Sequence, residues 1–354
     1  MHIVTYMMLG FAALAAIDRI FGGKFGIGEE FEKGLMMIGP LTVSMAGMIV
    51  MAPVISKMLQ SFAGVFPEFI DFSVIPSMVL ANDMGGAHLA LGLSENEIIG
   101  NFNGLVLASM MGCTVSFTVP FVMQVVKKCH QEDVLFGILC GIATVPVGCF
   151  VSGLMLKISI IQLVFNLVPV VIFAGLVALG ILKAPDLTVK IFKGIGFIIK
   201  AVITVGIVVG ITEFLTGFEI IKDIGSLNEA MQIIINIMCI MAGAFPLISI
   251  MKKVLTKPLK KAGELLRINE TAAFGLLATL GTSVTTFEMT DKMDKKGIVL
   301  NSAFAVSASF VFVDHLAFTL SFNQGYVAYM VAGKLISGVC AILVANAVYK
   351  RRYK

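Results

Sequence analysis

The chain has 354 residues, 58% of them hydrophobic and only 14% charged, with a formal net charge of +4. Soluble domains carry about 25% charged residues, so this composition excludes a soluble enzyme and describes an all-α polytopic membrane protein. The small positive excess is no nucleic-acid signal, because most Lys and Arg gather between hydrophobic runs, as the positive-inside rule requires.

Apolar runs able to cross a bilayer are predicted over 3–17, 35–56, 101–125, 133–156, 159–182, 194–216, 231–251, 297–320 and 325–348. The first has no basic leading region and no cleavage site, so it reads as a retained span. Two further segments, 73–93 and 271–290, carry polar or helix-breaking residues near their middles. The first holds Asn82-Asp83-Met84-Gly85-Gly86 and the second Gly281-Thr282-Ser283.

The charges between the runs decide how these two segments are threaded. The 18–33, 126–132, 183–193 and 252–267 loops and the tail Lys350-Arg351-Arg352-Tyr353-Lys354 are basic, whereas 66–71, 94–100 and 217–229 are acidic or poor in basic residues. If both irregular segments return to the side they start from, every strongly basic stretch falls on one face. The charge rule therefore favours two re-entrant hairpins, with the N-terminus outside, the tail inside and nine full crossings.

A weak internal repeat agrees with that count. Asn101-x4-Val106-x-Ala108-Ser109 recurs 200 residues later as Asn301-x4-Val306-x-Ala308-Ser309, and the same shift lays Asp83 on Ser283 and Asn82 on Thr282. The chain thus reads as a single membrane domain, 1–354, with repeat cores at 34–125 and 230–320 of opposite orientation. Paired broken helices in inverted repeats are a pattern of secondary transporters, with the site at the repeat interface.

Asp83 heads the candidate site residues. An acid inside hydrocarbon costs about 3 kcal/mol on insertion scales, and beside two glycines it sits at a helix break, where a cation can be held. Its bland role is a cap or structural pair. Asp314 and His315, in the 297–320 run, are either an interfacial pair near the outer surface or a second carboxylate with a proton carrier. Asn101, Asn103 and Asn301 suit hydrogen bonding between helices as well as ligand contact. Thr282, Ser283, Thr285 and Thr286 either satisfy the backbone freed at a break or meet a ligand hydroxyl. Lys200 reads as an anchor that snorkels, and Glu288 as solvated.

The six cysteines are scattered singly with no Cys/His cluster, so no metal site or disulfide framework is expected. The chain has no Gly-x4-Gly-Lys-Ser/Thr loop and no His-Glu-x-x-His, which argues against an ATP-driven pump and a zinc protease. No cofactor is expected.

Several longer runs carry a resemblance. They are Asp83-Met84-Gly85-Gly86, Ser109-Met110-Met111-Gly112, Gly141-Ile142-Ala143-Thr144-Val145-Pro146-Val147-Gly148, Asn301-Ser302-Ala303-Phe304-Ala305-Val306-Ser307-Ala308 and Asp314-His315-Leu316. Together they resemble the ethanolamine permease family, the H protein of bacterial ethanolamine-utilisation operons, over nearly the whole chain. One departure is Thr282-Ser283, where the family pattern has Asn. The resemblance implies facilitated uptake of ethanolamine through the inner membrane, with no enzymatic activity. Ethanolamine is mostly an ammonium at neutral pH and carries one hydroxyl. Asp83 would face the ammonium, with Asn82, Asn101, Asn301, Thr282, Ser283 and Asp314 as further substrate contacts and His315 in gating or proton linkage. Two other readings compete: an ion-coupled carrier of small organic anions, and an intramembrane aspartyl protease built on Asp83 and Asp314. Gly and Ala on many spans permit packing within one subunit or in a homo-oligomer alike.

Overall fold

Every long apolar run becomes helix. The computed structural model describes residues 3–67 and 69–352, apart from the side chains of 255–257, 259, 260, 262 and 352; Lys257, Lys260, Arg352, Tyr353 and Lys354 of the basic stretches lie outside that description. The helices are α1 Ile3–Ile20, α2 Gly28–Ala63, α3 Val74–Val79, α4 Ala87–Leu93, α5 Glu97–Val125, α6 Lys128–Met155, α7 Ile160–Lys183 and α8 Pro185–Thr216. They continue with α9 Leu227–Leu266, α10 Glu270–Gly281, α11 Ser283–Glu288, α12 Lys295–Ala308, α13 Asp314–Asn323 and α14 Val327–Arg352. Among the described residues there is no strand, and eight helical stretches are long and apolar enough to cross a membrane. The protein is an all-α polytopic membrane protein.

Three expected boundaries need correction: the 183–193 stretch is helical from Pro185 on, and two others change more. The basic stretch 252–267 is not a loop, because α9 runs unbroken for 40 residues to Leu266. At 1.5 Å per residue it spans about 60 Å, twice the hydrocarbon thickness, and Lys and Leu are good helix formers that need no membrane to stay helical. The 297–320 run is not one helix either. It stops at Ala308, and Phe310 takes a left-handed conformation (φ 63°) before α13 starts at Asp314. The chain then turns back at 324–326, since Lys334 of α14 lies 2.9 Å from His315 of α13.

Both irregular segments close on themselves. Ser94 donates to the Asp71 carboxylate at 2.6 Å, tying the two ends of 71–94 together. Asn269 donates through Nδ2 to Lys292 O at 2.8 Å, and its N–H reaches the Asp294 carboxylate at 2.8 Å, doing the same for 269–294. Each segment therefore dips into the bundle and returns to the end it left.

The two hairpins start from opposite ends. Around the second, Lys127 pairs with Asp291 at 2.6 Å, Lys295 with Asp133 at 3.7 Å, and Lys296 donates to Leu266 O. The hydrogen bond to Asp291 raises the Lys127 pKa above its ordinary value. Tyr349 packs there with Phe136 and Leu266. The turn after α1 joins the same end, where Lys253 donates to Phe25 O at 2.7 Å. At the other end, Tyr326 reaches Ile98 O at 3.4 Å beside the first hairpin, and a groove runs between 63–72, 93–96 and 159–166. The basic stretches thus share one end of the bundle.

The α1–α2 turn is organised by Asp18, which is buried at the end of α1 and accepts the backbone N–H groups of Phe25, Ile27 and Gly28 at 2.9–3.0 Å. Asp18→Ala strands three donors at once. We expect a melting temperature lower by several degrees in detergent, with Asp18→Asn falling between it and the wild type.

Interhelical polar contacts are few and specific. Asn103 and Asn166 exchange side-chain hydrogen bonds at 2.7 and 3.1 Å, and Asn103 also donates to Ser73 at 2.9 Å. This ties α5 to α7 and to the start of the first hairpin.

Candidate functional site: a buried carboxylate pair at the hairpin tips

The first tip forms because α3 cannot continue past Val79. Leu80 and Ala81 are extended, and the chain re-enters a helix-like turn over Asn82–Gly86 in which Gly85 has φ +97°. The freed Ala81 N–H is accepted by Ser116 Oγ of α5 at 3.1 Å. Helix α5 passes directly under the tip, since a Cβ placed on Gly112 would lie 2.0 Å from Leu80 O. Over Phe102–Gly112 and Thr114–Thr118 α5 is wound with i→i+5 bonds, wide turns that recur at functional sites.

The second tip lies at Thr282, extended between α10 and α11, whose hydroxyl accepts Val284 N at 3.2 Å. Thr286 bridges the two arms, meeting Thr279 Oγ1 at 2.9 Å and donating to Gly275 O at 3.0 Å. The end of α10 also explains the break in the 297–320 run. The N–H groups of Phe310 and Phe312 are accepted by Thr279 O and Leu280 O at 3.2 and 3.0 Å. Irregular backbone at membrane depth persists only where protein satisfies it, and here the second hairpin does so.

A cavity of about 290 Å³ lies beside the first tip and the 310–315 break, the lower end of the size range of small-molecule sites. Asp83, Asp314, His315, Cys113, Phe117 and Phe310 line it together with α2. The Asp83 carboxylate lies within hydrogen-bonding reach of the Asp314 carboxyl, while the Met84 N–H beside it is accepted by Ala81 O at 3.1 Å. Asp314 Oδ1 is buried with no partner. His315 is 1% exposed, and its Nδ1 lies 2.9 Å from Lys334 Nζ. Lys334 is fully buried and donates to Ser109 O at 2.5 Å. Asp314 and His315 are therefore inside the bundle, not an interfacial pair near the surface; the break at 309–313 carries them inward.

Two aromatic rings, Phe117 and Phe310, line the cavity. Phe117 stacks on Phe121 with centroids 5.4 Å apart and meets Phe310 edge-on at 5.6 Å. Beyond Phe117 a groove reaches Lys193 and Lys200, near the basic end. Outside the cavity lining, His88 packs edge-on against Phe322 at 4.9 Å and Phe318 at 6.1 Å.

The other candidates lie outside the cavity lining. Asn82 is fully buried next to Asp83, with both amide atoms unpartnered, and Ser283 Oγ at the second tip is likewise buried and unpartnered. Asn101 donates to Glu97 O within its own helix at 2.9 Å. Asn301 donates to Ala272 O and Gly297 O, both at 2.9 Å, joining α12 to α10. Lys334 is the residue that the reading of the sequence passed over. Its signal was the one used for Asp83, a charge in the middle of an apolar run, Val331-Ala332-Gly333-Lys334-Leu335-Ile336. Among the described residues no group of three or more His, Cys, Asp or Glu is placed to hold a metal ion.

A family model described as ethanolamine utilisation protein EutH matches residues 1–348. The chain belongs to the EutH family. Among curated EutH relatives, the probable ethanolamine permease EutH of Listeria monocytogenes is 42% identical, covering 100% of this chain and 95% of its own length. The proteins of the same name from Salmonella typhimurium and Escherichia coli are 35% and 34% identical, each covering 97% of this chain and 94% of its own length. No solved structure matches the chain.

Proposed function

We propose that the protein is a permease that brings ethanolamine, as its ammonium form, into the bacterial cell across the inner membrane by facilitated diffusion. The observation that carries this reading is the Asp83–Asp314 pair, which faces a small cavity at the tip of a broken helix. The names of the relatives supply the substrate. Such a pair suits one ammonium group, and the unpartnered amide of Asn82 is a hydrogen-bond partner for the hydroxyl. Ser283 is assigned the same role from the second tip. Thr282 supports its tip by accepting the Val284 N–H, Asn301 anchors the start of α10, Asn101 caps a carbonyl of its own helix, and His315 gates through its contact with Phe310, at 5.3 Å between ring centroids.

The basic end, with Lys127, Lys253, Arg267 and Lys296, is assigned to the cytoplasm by the positive-inside rule, which puts the N-terminus outside. The cores 34–125 and 230–320 each contribute one hairpin, from opposite ends, and we read them as an inverted repeat within a single membrane domain.

Uptake of labelled ethanolamine into proteoliposomes tests the reading. We expect saturable uptake that small amino alcohols compete away and dicarboxylates do not. Competition by dicarboxylates alone would favour the organic-anion carrier, which the acidic cavity disfavours on charge. The two carboxyls lie close enough for a protease dyad, but the relatives are named as permeases, and on that support we read the pair as a binding site.

A further inference from the structure

Lys334 raises a question of charge that ethanolamine binding must answer. Two carboxyls within hydrogen-bonding reach hold a proton between them, because like charges at that distance cannot both ionise in a buried site. The Asp83–Asp314 pair therefore carries one negative charge. One buried cation already balances it. Lys334 lies within Coulombic reach of both acids, and among the described residues neither carboxylate pairs with it directly. A second ammonium in the cavity would leave an uncompensated charge among buried groups, which is costly.

The contacts of Lys334 show how that cost is avoided. Both of its hydrogen-bond partners, Ser109 O and His315 Nδ1, are neutral acceptors. An ammonium has three N–H donors and a neutral amine two. Lys334 can thus lose its proton and keep both hydrogen bonds. The remaining titratable groups around it are Asp83 on the tip, Asp314 and His315 on α13, Cys113 on α5 and Cys149 on α6. His315 is already neutral at Nδ1, where it accepts from Lys334, and the two thiols are buried and uncharged in this balance.

We propose that Lys334 releases its proton when ethanolammonium enters the cavity, so that the carrier exchanges one ammonium cation for one proton and the net species moved is the neutral amine. One N–H bond of Lys334 breaks, its electron pair stays on Nζ, and the proton passes to water at the open end of the site. The inference rests on the ethanolamine reading and refines it. Exchange of this kind brings ethanolamine only to the distribution that the free base would reach, so it is facilitated diffusion in its thermodynamics, and it is insensitive to membrane potential.

The test uses wild-type protein first. In weakly buffered detergent solution with a pH indicator, adding ethanolammonium chloride should release about one proton per molecule bound. Below the pH at which the free amine predominates, the Kd should fall by up to about tenfold per pH unit, the linkage for one proton. In proteoliposomes an acid lumen should accelerate uptake and an imposed potassium diffusion potential should not. Binding without proton release, a Kd independent of pH, or uptake driven by the potential would overturn the exchange. Absence of ethanolamine binding at every pH would remove the permease reading as well, and so is distinguishable. Lys334→Met should bind without releasing a proton and should make uptake sensitive to the potential. Full proton release in that variant would overturn the assignment to Lys334. If the variant does not fold, the wild-type measurements still decide the question.

Discussion

Asp83→Asn should weaken ethanolamine binding by roughly 10- to 150-fold at neutral pH, the equivalent of losing a hydrogen bond to a charged group at about 1.5–3 kcal/mol. The substitution keeps size and hydrogen-bonding shape and leaves the pair's one negative charge to Asp314, farther from the tip backbone. Asp83 is the right place to test because its carboxylate sits at the tip, faces the cavity and lies within hydrogen-bonding reach of Asp314. Asp314→Asn should have an effect of similar size. The double variant should cost more than the two single losses combined, because either remaining carboxyl can carry the pair's one negative charge and only the double variant loses it. Calorimetric titration of purified protein reads all three. Unchanged affinity and uptake rate in Asp83→Asn would remove Asp83 as the partner of the ammonium.

Gly112→Ala should be the most damaging single-methyl change tested, costing about 1–3 kcal/mol or more by over-packing. The new Cβ would lie 2.0 Å from Leu80 O and 2.8 Å from Ser77 O. Both are backbone atoms of the first hairpin, so no flexible side chain can yield. Either α5 or the tip must move, and with it Ala81, Asn82 and Asp83. Uptake should fall with stability. Gly85→Ala provides a contrast: its Cβ would meet the Met48 side chain, which can turn aside, but the residue must hold φ +97°, a strain of about 1–2 kcal/mol. Gly175→Ala, on α7 with nothing within 4 Å of its Cβ, should be neutral or slightly stabilising. Melting in detergent alongside uptake separates the three. Equal behaviour of Gly112→Ala and Gly175→Ala would mean that the tip does not rest on α5.

Much of this architecture was legible in the amino-acid sequence because it follows from local cost. A bilayer demands apolar runs of a certain length, so the long helices stand where the runs stand. Charged residues cluster between runs, so the count that gathers basic stretches at one end also predicts two segments that turn back, and the Asp71–Ser94 and Asn269–Lys292 contacts close them. Asp83 beside Gly85-Gly86 announces itself because an acid and a helix break are both expensive in hydrocarbon. Thr286 took the backbone-satisfying role open to it.

The tertiary structure alone decided the rest. The 297–320 run contains no Pro or Gly near 309–313, and nothing local marks a break there. It breaks because the carbonyls of Thr279 and Leu280 are positioned to accept Phe310 and Phe312. That break places Asp314 against Asp83. Likewise, that Lys334 is an inward-facing charge among neutral acceptors, while Lys200 is exposed at the groove edge, depends on which face of each helix meets a neighbour. Pattern and composition report what a residue costs in a membrane; only packing supplies the partner that makes the cost bearable.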